Sequence, residues 1–181
     1  MSVAQAEALF STARLDIVFL SPELAPTASA PLLGAPQFIE AEFGEPPTVD
    51  FVVELISGLI TGDPPPGINR AAVYPLGIAL KGQPGFIGIA HMVMGFPTET
   101  TVFIGLLILA EKHQRKGYGK EFFQGVYDWA RPQGINFIRV RLHPRHEGPK
   151  AFLDKIGMVD LPEKLQSGHA IWERKLPATE D

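Results

Sequence analysis

Apolar residues along the chain form two kinds of pattern, which predict two kinds of element. Continuous or alternating apolar runs have the composition of strands, and they cover residues 15–20, 72–80, 86–94, 101–109, 135–142 and 170–176. Apolar residues at helical spacing predict helices, and they cover residues 51–60, 122–130 and 149–156. The order indicates an α/β fold with a mixed, mostly antiparallel sheet of six to seven strands, covered by about four helices.

Residues 21–48 do not fit either pattern. The segment is crowded with proline and small residues, and its prolines are Pro22, Pro26, Pro31, Pro36, Pro46 and Pro47. Because proline interrupts both helices and sheets, this composition predicts a long irregular excursion.

Composition places the chain among ordinary soluble proteins. Its 181 residues suffice for one domain with a single substantial core. There is no cysteine, which excludes disulfides, thiolate nucleophiles and cysteine-based metal sites. The first residues lack the basic region and apolar core of a signal peptide, and no apolar run approaches the ~20 residues of a membrane helix. We therefore expect a cytoplasmic protein without a membrane partner.

Charge is unevenly distributed along the chain. The net charge is −4, which argues against nucleic-acid binding. Residues 1–111 carry three basic and 11 acidic side chains, whereas residues 112–181 carry 13 basic and nine acidic ones. A basic second half suits a polyphosphate ligand. The acidic first half suits an amine-bearing partner, or it reflects only an uneven solvated surface.

A glycine-containing segment at residues 114–120 marks the start of the basic half. It follows an apolar strand and precedes a helical pattern, and its sequence is Gln-Arg-Lys-Gly-Tyr-Gly-Lys. A helix N-terminus has unpaired N–H groups and a dipole that favours anions, so this arrangement predicts a phosphate site. Gln114 and Glu121 do not match a P-loop, and Phe122 occupies the place of the third glycine of a dinucleotide fingerprint.

Three segments together resemble the GNAT superfamily of acyl-CoA N-acyltransferases. Gln114-x-x-Gly117-x-Gly119 is similar to the family's motif A, the preceding residues 103–109 resemble its fourth strand, and residues 152–158 resemble its later F-Y-x-K-x-G-F segment. The resemblance covers about residues 73–158. It implies a single acyltransferase domain over residues 1–181, with a variable acceptor-side region at 1–70 and a cofactor-binding core at 71–176.

The resemblance also implies an activity. The chain is expected to transfer an acetyl group from acetyl-CoA to a primary amine of a small molecule or peptide, without a metal. Direct attack is expected because there is no cysteine to form an acyl-enzyme. A non-catalytic acyl-CoA-binding or sensing module is the alternative, and the oligomeric state is expected to be a monomer or a homodimer.

Cofactor-binding residues follow from the same resemblance. Main-chain groups of the strand are expected to pair with the pantetheine arm, the glycine segment to hold the pyrophosphate, and a gap between the strands at 101–109 and 135–142 to admit the thioester. The residues assigned to coenzyme A are Leu107, Ile108, Leu109, Gln114, Arg115, Lys116, Gly117, Tyr118, Gly119, Lys120, His143, Phe152 and Lys155.

The catalytic side chains are less clearly marked. Many family members have a tyrosine acid where this chain has Leu153, so the thiolate is protonated by solvent or by another group, with Tyr74, Tyr118 and Tyr127 as candidates. The candidate general bases are His91, Glu99 and an ordered water.

For both side chains a purely structural or surface role remains open. His143 and His146 have a spacing seen in metal pairs but lack a third ligand, which favours a loop beside the cofactor. Acceptor recognition is expected from residues 21–48, 49–61 and 95–100.

Overall fold

The computed structural model describes residue 3 and residues 6–177, and it contains one eight-stranded sheet. The strand order across the sheet is β1-β2-β3-β4-β5-β6-β8-β7. Only β5 and β6 are parallel; every other neighbouring pair is antiparallel. The strands are β1 (Ala8–Ser11), β2 (Leu15–Phe19), β3 (Val73–Leu80), β4 (Gly88–Met94), β5 (Thr101–Leu109), β6 (Phe137–Leu142), β7 (Val159–Lys164) and β8 (Ala170–Lys175).

Five α-helices cover the two faces of this sheet. They are α1 (Ala25–Leu33), α2 (Pro36–Phe43), α3 (Val49–Thr61), α4 (Tyr118–Ala130) and α5 (Gly148–Lys155). Core residues of α1, α2 and α3 belong to one buried cluster, and those of α4 and α5 to a second. The helices therefore form a layer on each side of the sheet.

Successive side chains of the central strands alternate between the two buried clusters. On β4, Ala90 and Met92 face the α4 side, whereas Ile89 faces the α1–α3 side. Since successive side chains of a strand point to opposite faces, one strand serves both layers. Phe122 of α4 is completely buried, and burying such a side chain contributes about 2–3 kcal/mol.

The proline-rich segment folds as helices, so the predicted irregular excursion at 21–48 is wrong. Pro26 lies in the first turn of α1 and Pro36 in the first turn of α2, where no intrahelical N–H bond is lost. Pro31 lies inside α1, close enough to its end that the helix stops two residues later. The prolines thus begin helices rather than prevent them.

The sequence analysis also missed two edge strands, β1 and β7. Most of their residues are exposed or half-buried, so they lack the apolar alternation that marks a strand with one buried face. The sheet consequently has eight strands instead of six to seven, and there are five helices instead of four. The fold class itself is confirmed: a mixed, mostly antiparallel sheet between helices.

No helix in the described part of the chain is both long and apolar enough to cross a membrane.

Candidate active site

The parallel strands β5 and β6 separate partway along their length. They pair from Thr101 with Phe137 to Ile104 with Val140, and β5 then continues to Leu109 without a partner on that side. The register of β5 against β4 shifts between His91 and Met92, which leaves Gly105 as an extra, bulged residue. We call the gap beyond Ile104 and Val140 the slot.

Main-chain groups of β5 line the slot. The N–H of Ala110 donates to the carbonyl of Ile87 on the β4 side, at 3.0 Å. Because main-chain polar groups alternate in direction along a strand, those of Leu107 and Leu109 point away from β4 and into the slot. Their side chains pack against the α4-side core, whereas Ile108 is buried in the opposite core.

The glycine loop, residues 114–120, joins the end of β5 to α4. Gln114 Nε2 donates to the carbonyl of Leu109 at 2.8 Å, which fixes the start of the loop on the strand. Arg115 has a φ of 63° and Gly117 a φ of 83°, and this pair of left-handed residues turns the chain into the helix. Gly117 is the residue that precedes α4.

Six consecutive backbone N–H groups of this loop are available to a ligand. Within the described residues, no group accepts a hydrogen bond from the backbone N–H groups of residues 115–120. Such a row of donors at a helix N-terminus binds oxyanions. The loop therefore has the donor set that a pyrophosphate requires.

Packing is tight at the two glycines of the loop. A Cβ on Gly119 would lie 3.2 Å from the Phe152 ring, and a Cβ on Gly117 would lie 3.3 Å from Arg14 Nη2. Phe152 in turn packs against Phe123 of α4, with ring centroids 5.8 Å apart. The structure thus brings Phe152 to the glycine loop.

Arg14 is a member of this region that the sequence analysis did not single out. It comes from the β1–β2 turn, donates to the Lys116 carbonyl at 3.2 Å and lies 4.5 Å from the Tyr118 ring centre. It also pairs with Glu121 at 2.6 Å. As one of three basic residues before position 112, Arg14 was conspicuous, but only the fold places it here.

Burial, hydrogen bonds and nearby charges shift the pKa values of Glu121 and His113, which lie close to the loop. Partial burial works to raise the pKa of Glu121, but hydrogen bonds from Thr12 and Arg14 outweigh it and hold the pKa below the ordinary value. Partial burial, together with the charges of Lys112 and Lys116, lowers the pKa of His113. Burial is the larger cause of the second shift, and the two lysine charges add a positive potential beside the loop, which suits an anionic ligand.

The remaining predicted cofactor residues differ in their surroundings. The side chains of Lys116, Lys120 and Lys155 are exposed to solvent. His143 lies in the loop after β6, with its ring centre 4.9 Å from that of His169 and 5.8 Å from that of His146. In the described part of the chain, no group of three or more His, Asp and Glu side chains is placed to hold a metal ion.

His91 lies beside the bulge at the slot. Its Nδ1 is 3.7 Å from where a Cβ on Gly105 would be. Burial, and then the charges of Arg70 and Arg141, lower the pKa of His91. The imidazole is therefore neutral near pH 7 and able to accept a proton.

Glu99, the second candidate base, stands apart from His91. It is exposed in the turn between β4 and β5, at the opposite end of β5 from the glycine loop. The first residue of β5 is already about 13 Å from Gly105 along the strand. The structure does not bring the two candidates together.

The candidate acids lie mostly in the core. Leu153 is buried in the α4-side core, so its side chain is a packing group. Tyr127 is buried beneath Arg174 and Tyr74 packs against Phe19 and Trp129. Tyr118, the first residue of α4, is the one tyrosine of the three in the glycine loop.

A charged network that joins α2, β6 and the residue before β8 also escaped the sequence analysis. Arg141 Nη2 lies 2.9 Å from Glu42 Oε1, and the same oxygen lies 3.0 Å from His169 Nε2. Three distant segments supply these residues, so no local motif reveals them. The available signal was the alternation of Arg139 and Arg141 with apolar residues in a central strand.

The family model for the GNAT acetyltransferase domain matches residues 14–159, most of the chain. The chain belongs to the GNAT acetyltransferase family. Acyl transfer is therefore its reaction class. No curated protein sequence matches this GNAT chain.

Solved structures share the GNAT fold with this chain at low sequence identity. An acetyltransferase from Thermus thermophilus has a TM-score of 0.72 and 19% identity, with 94% of this chain and 100% of that chain covered. RimL, a ribosomal L7/L12 alpha-N-protein acetyltransferase in complex with coenzyme A, has a TM-score of 0.69 and 13% identity, with 94% and 98% covered. Aminoglycoside acetyltransferase AAC(6')-Ib, also in complex with coenzyme A, has a TM-score of 0.66 and 15% identity, with 89% and 94% covered.

Proposed function

We propose that this GNAT chain is an N-acetyltransferase that moves an acetyl group from acetyl-CoA to a primary amine. The observation that carries the proposal is the row of six N–H groups at residues 115–120, which have no acceptor among the described residues and lie next to the slot between β5 and β6. The first feature fits a pyrophosphate and the second fits an extended arm that ends in a thioester. Two structural neighbours that were solved with coenzyme A support this choice of donor.

Different parts of the chain bind different parts of acetyl-CoA in this proposal. The N–H groups of the glycine loop hold the pyrophosphate, and the main chain of Leu107 and Leu109 pairs with the pantetheine arm as a missing strand would. Exposed Arg115, Lys116, Lys120 and Lys155 add charge that is screened by solvent. When bound, acetyl-CoA supplies the acetyl group as a thioester that is reactive towards amines.

His91 is the proposed general base. An amine attacks only after it has lost a proton, and the lowered pKa of His91 keeps its imidazole in the accepting form at neutral pH. We prefer His91 to Glu99 because His91 lies beside the Gly105 bulge, where the slot begins, whereas Glu99 is exposed at the far turn. Solvent protonates the departing thiolate, since the position of the family's tyrosine holds the buried Leu153.

The acceptor is proposed to be a primary amine on a small molecule or a peptide. Two structural neighbours, an aminoglycoside acetyltransferase and a ribosomal L7/L12 alpha-N-protein acetyltransferase, support this choice of acceptor. A cysteine-free chain also fits a reducing compartment, and we place the activity in the cytoplasm.

The test combines binding with turnover. Calorimetric titration with acetyl-CoA is expected to show saturable binding, and an amine panel is then assayed for free CoA with a thiol-reactive dye. Because the chain has no cysteine, the dye reports released CoA alone. Absence of saturable binding would end the proposal. Binding without turnover on any amine would instead support a non-catalytic acyl-CoA-binding module, which the lack of a tyrosine at position 153 favours.

A further inference from the structure

Arg141 occupies the point where β5 and β6 begin to separate. The last paired residues are Ile104 and Val140, and the next residues along the two strands are Gly105 and Arg141. Arg141 Nε donates to the Gly105 carbonyl at 2.6 Å. The Thr101 carbonyl accepts from Gly95 on the β4 side, so regular alternation would turn the Gly105 carbonyl towards β4 as well. The bulge displaces this carbonyl from the β4 ladder, and the side chain of Arg141 supplies its partner.

The rest of the guanidinium is held from two other directions. Its Nη2 pairs with Glu42 of α2 at 2.9 Å, and its Nη1 lies 3.1 Å from His169 Nε2. His169 is itself fixed by Ser167, whose Oγ is 2.8 Å from its Nδ1. The side chains of Glu42 and His169 are only 7% and 9% exposed. The planar fork of Arg141 therefore has a fixed position and orientation.

Stability alone does not account for this network. Removing a carboxylate and a guanidinium from water costs about as much as their attraction returns, and apolar residues of similar volume hold elements together equally well. What the charged network provides, and apolar residues do not, is a directed hydrogen bond to the Gly105 carbonyl.

Arg139 shows what an arginine of the same strand does without that bond. It pairs with Glu173 at 2.6 Å and with Glu163 at 2.9 Å, and both partners belong to the neighbouring β8 and β7. It lies opposite Phe103 in the part of β6 that still pairs with β5. Arg139 is thus a matched control, since it is charged and ion-paired but its described hydrogen bonds go to Glu173 and Glu163 and not to the bulge.

We propose that Arg141, held by Glu42 and His169, is a positioning residue for acyl transfer. By fixing the Gly105 carbonyl it fixes the bulge, and the bulge sets the direction of the main-chain groups that follow and their distance from His91. Arg141 acts through Gly105, and its charge also acts on His91, but it does not itself contact the reacting atoms. The inference rests on the proposed function, because the slot is taken to receive the thioester.

The first experiment uses [1-¹³C]acetyl-CoA bound to the full chain, observed by carbon NMR. In the unsubstituted protein we expect one bound carbonyl resonance, displaced from that of free acetyl-CoA. In Arg141→Met the resonance is expected to broaden and move towards the free position, while kcat falls roughly tenfold to a hundredfold. The dissociation constant of acetyl-CoA should change less than about threefold, because the glycine loop is intact. Arg139→Met should leave the resonance and kcat unchanged.

A double variant separates positioning from folding. Arg141→Met leaves Glu42 buried without its partner, which is itself destabilising. Arg141→Met combined with Glu42→Leu removes both charges and is expected to recover the melting temperature. It should not recover the resonance or kcat. Recovery of all three would overturn the proposal and leave the network a structural role only.

A measurement without acetyl-CoA keeps this inference distinct from the proposed function. In the free protein, amide hydrogen exchange at Leu106 and Ile108, whose N–H groups point towards β4, is expected to rise at least tenfold in Arg141→Met and to stay unchanged in Arg139→Met. Unchanged exchange in both variants overturns the positioning role even where turnover is observed. An unsubstituted protein that fails to bind acetyl-CoA overturns the proposed function, whatever the exchange result.

Discussion

The regions that we propose for the acyl donor and for the acceptor use different chemical groups. On the donor side, the glycine loop and the edge of β5 present backbone N–H and carbonyl groups, and side chains serve mainly to shape the path of the main chain. On the side that we propose for the acceptor, the groups we invoke are the side chains of His91, Glu42, Arg141 and His169. A backbone site tolerates many sequences as long as its dihedral angles persist. A side-chain site depends on the identity of each residue and on distant segments meeting correctly.

The largest effect is expected from the backbone of the donor side. Gly117→Leu forces a side chain into a left-handed residue beside Arg14, which displaces the loop and removes two or more hydrogen bonds to a charged ligand. We expect acetyl-CoA binding to weaken about a thousandfold by calorimetry.

Gly134→Leu is the matched control for that change. Gly134 has a φ of 82°, and nothing lies within 4 Å of a Cβ built there. The two variants should lose similar stability, about 1–2 kcal/mol, but only Gly117→Leu should lose binding. Equal affinity in both would contradict a backbone-built donor site.

On the proposed acceptor side, His91→Gln is expected to lower kcat about a hundredfold while acetyl-CoA affinity stays within a factor of three.

The pH dependence of kcat is a second test of His91 as the general base. His91 must be neutral to accept a proton, and burial with Arg70 and Arg141 lowers its pKa. The rate should therefore stay high as pH falls and decline only below the ordinary histidine value of about 6.5.

Arg70→Gln sharpens that pH prediction. Removing the Arg70 charge should raise the pKa of His91 and move the acid limb of kcat to higher pH. Lys81→Gln, on the turn after β3, is the control and should leave the limb in place. A profile that does not move in Arg70→Gln would argue that another group accepts the proton.

A smaller effect is expected from the contact between the β1–β2 turn and α4, which lies beside the glycine loop. Glu121 joins the β1–β2 turn to α4 through Thr12 and Arg14. Glu121→Gln is expected to reduce the free energy of unfolding at pH 7 by about 1 kcal/mol. Because the folded pKa of Glu121 is lowered, its contribution is present above the ordinary glutamate pKa and is lost as pH falls through the folded value. Denaturation at pH 7 and pH 3 should show the difference from the unsubstituted chain shrink; a constant difference would contradict it.

The smallest effect is expected from the exposed lysines. Lys120→Ala and Lys155→Ala should each weaken acetyl-CoA binding no more than about threefold, because solvent screens their charges. The effect should vanish at high salt in calorimetry. A loss comparable to that of Gly117→Leu would mean that side chains, not backbone groups, dominate the donor side.

The same contrast explains what could be predicted from the sequence. The strand at 101–109, the helix after Gly117 and the loop between them follow from local patterns, and the structure contains all three. The helices α1 and α2 were missed because a proline that begins a helix cannot be told by composition from one that breaks it. The partnership of Glu42, Arg141 and His169 could not be predicted, since it joins positions about a hundred residues apart only after folding.

Gly105 also affects which substitutions and deletions β5 can accept. The extra residue offsets the two halves of β5 by one position, so that residues after it point opposite to where simple alternation from Thr101 would place them. A substitution at position 105 adds a side chain at one place. A deletion there would make the pairs of Ile104 with Met92 and of Leu106 with His91 consecutive, so that Leu106 through Leu109 would keep their faces and their partners in β4. Only the bulge would be lost, and with it the position of the Gly105 carbonyl beside Arg141. Chain length at this one position therefore determines whether the bulge exists, while the packing of the strand on both cores stays the same.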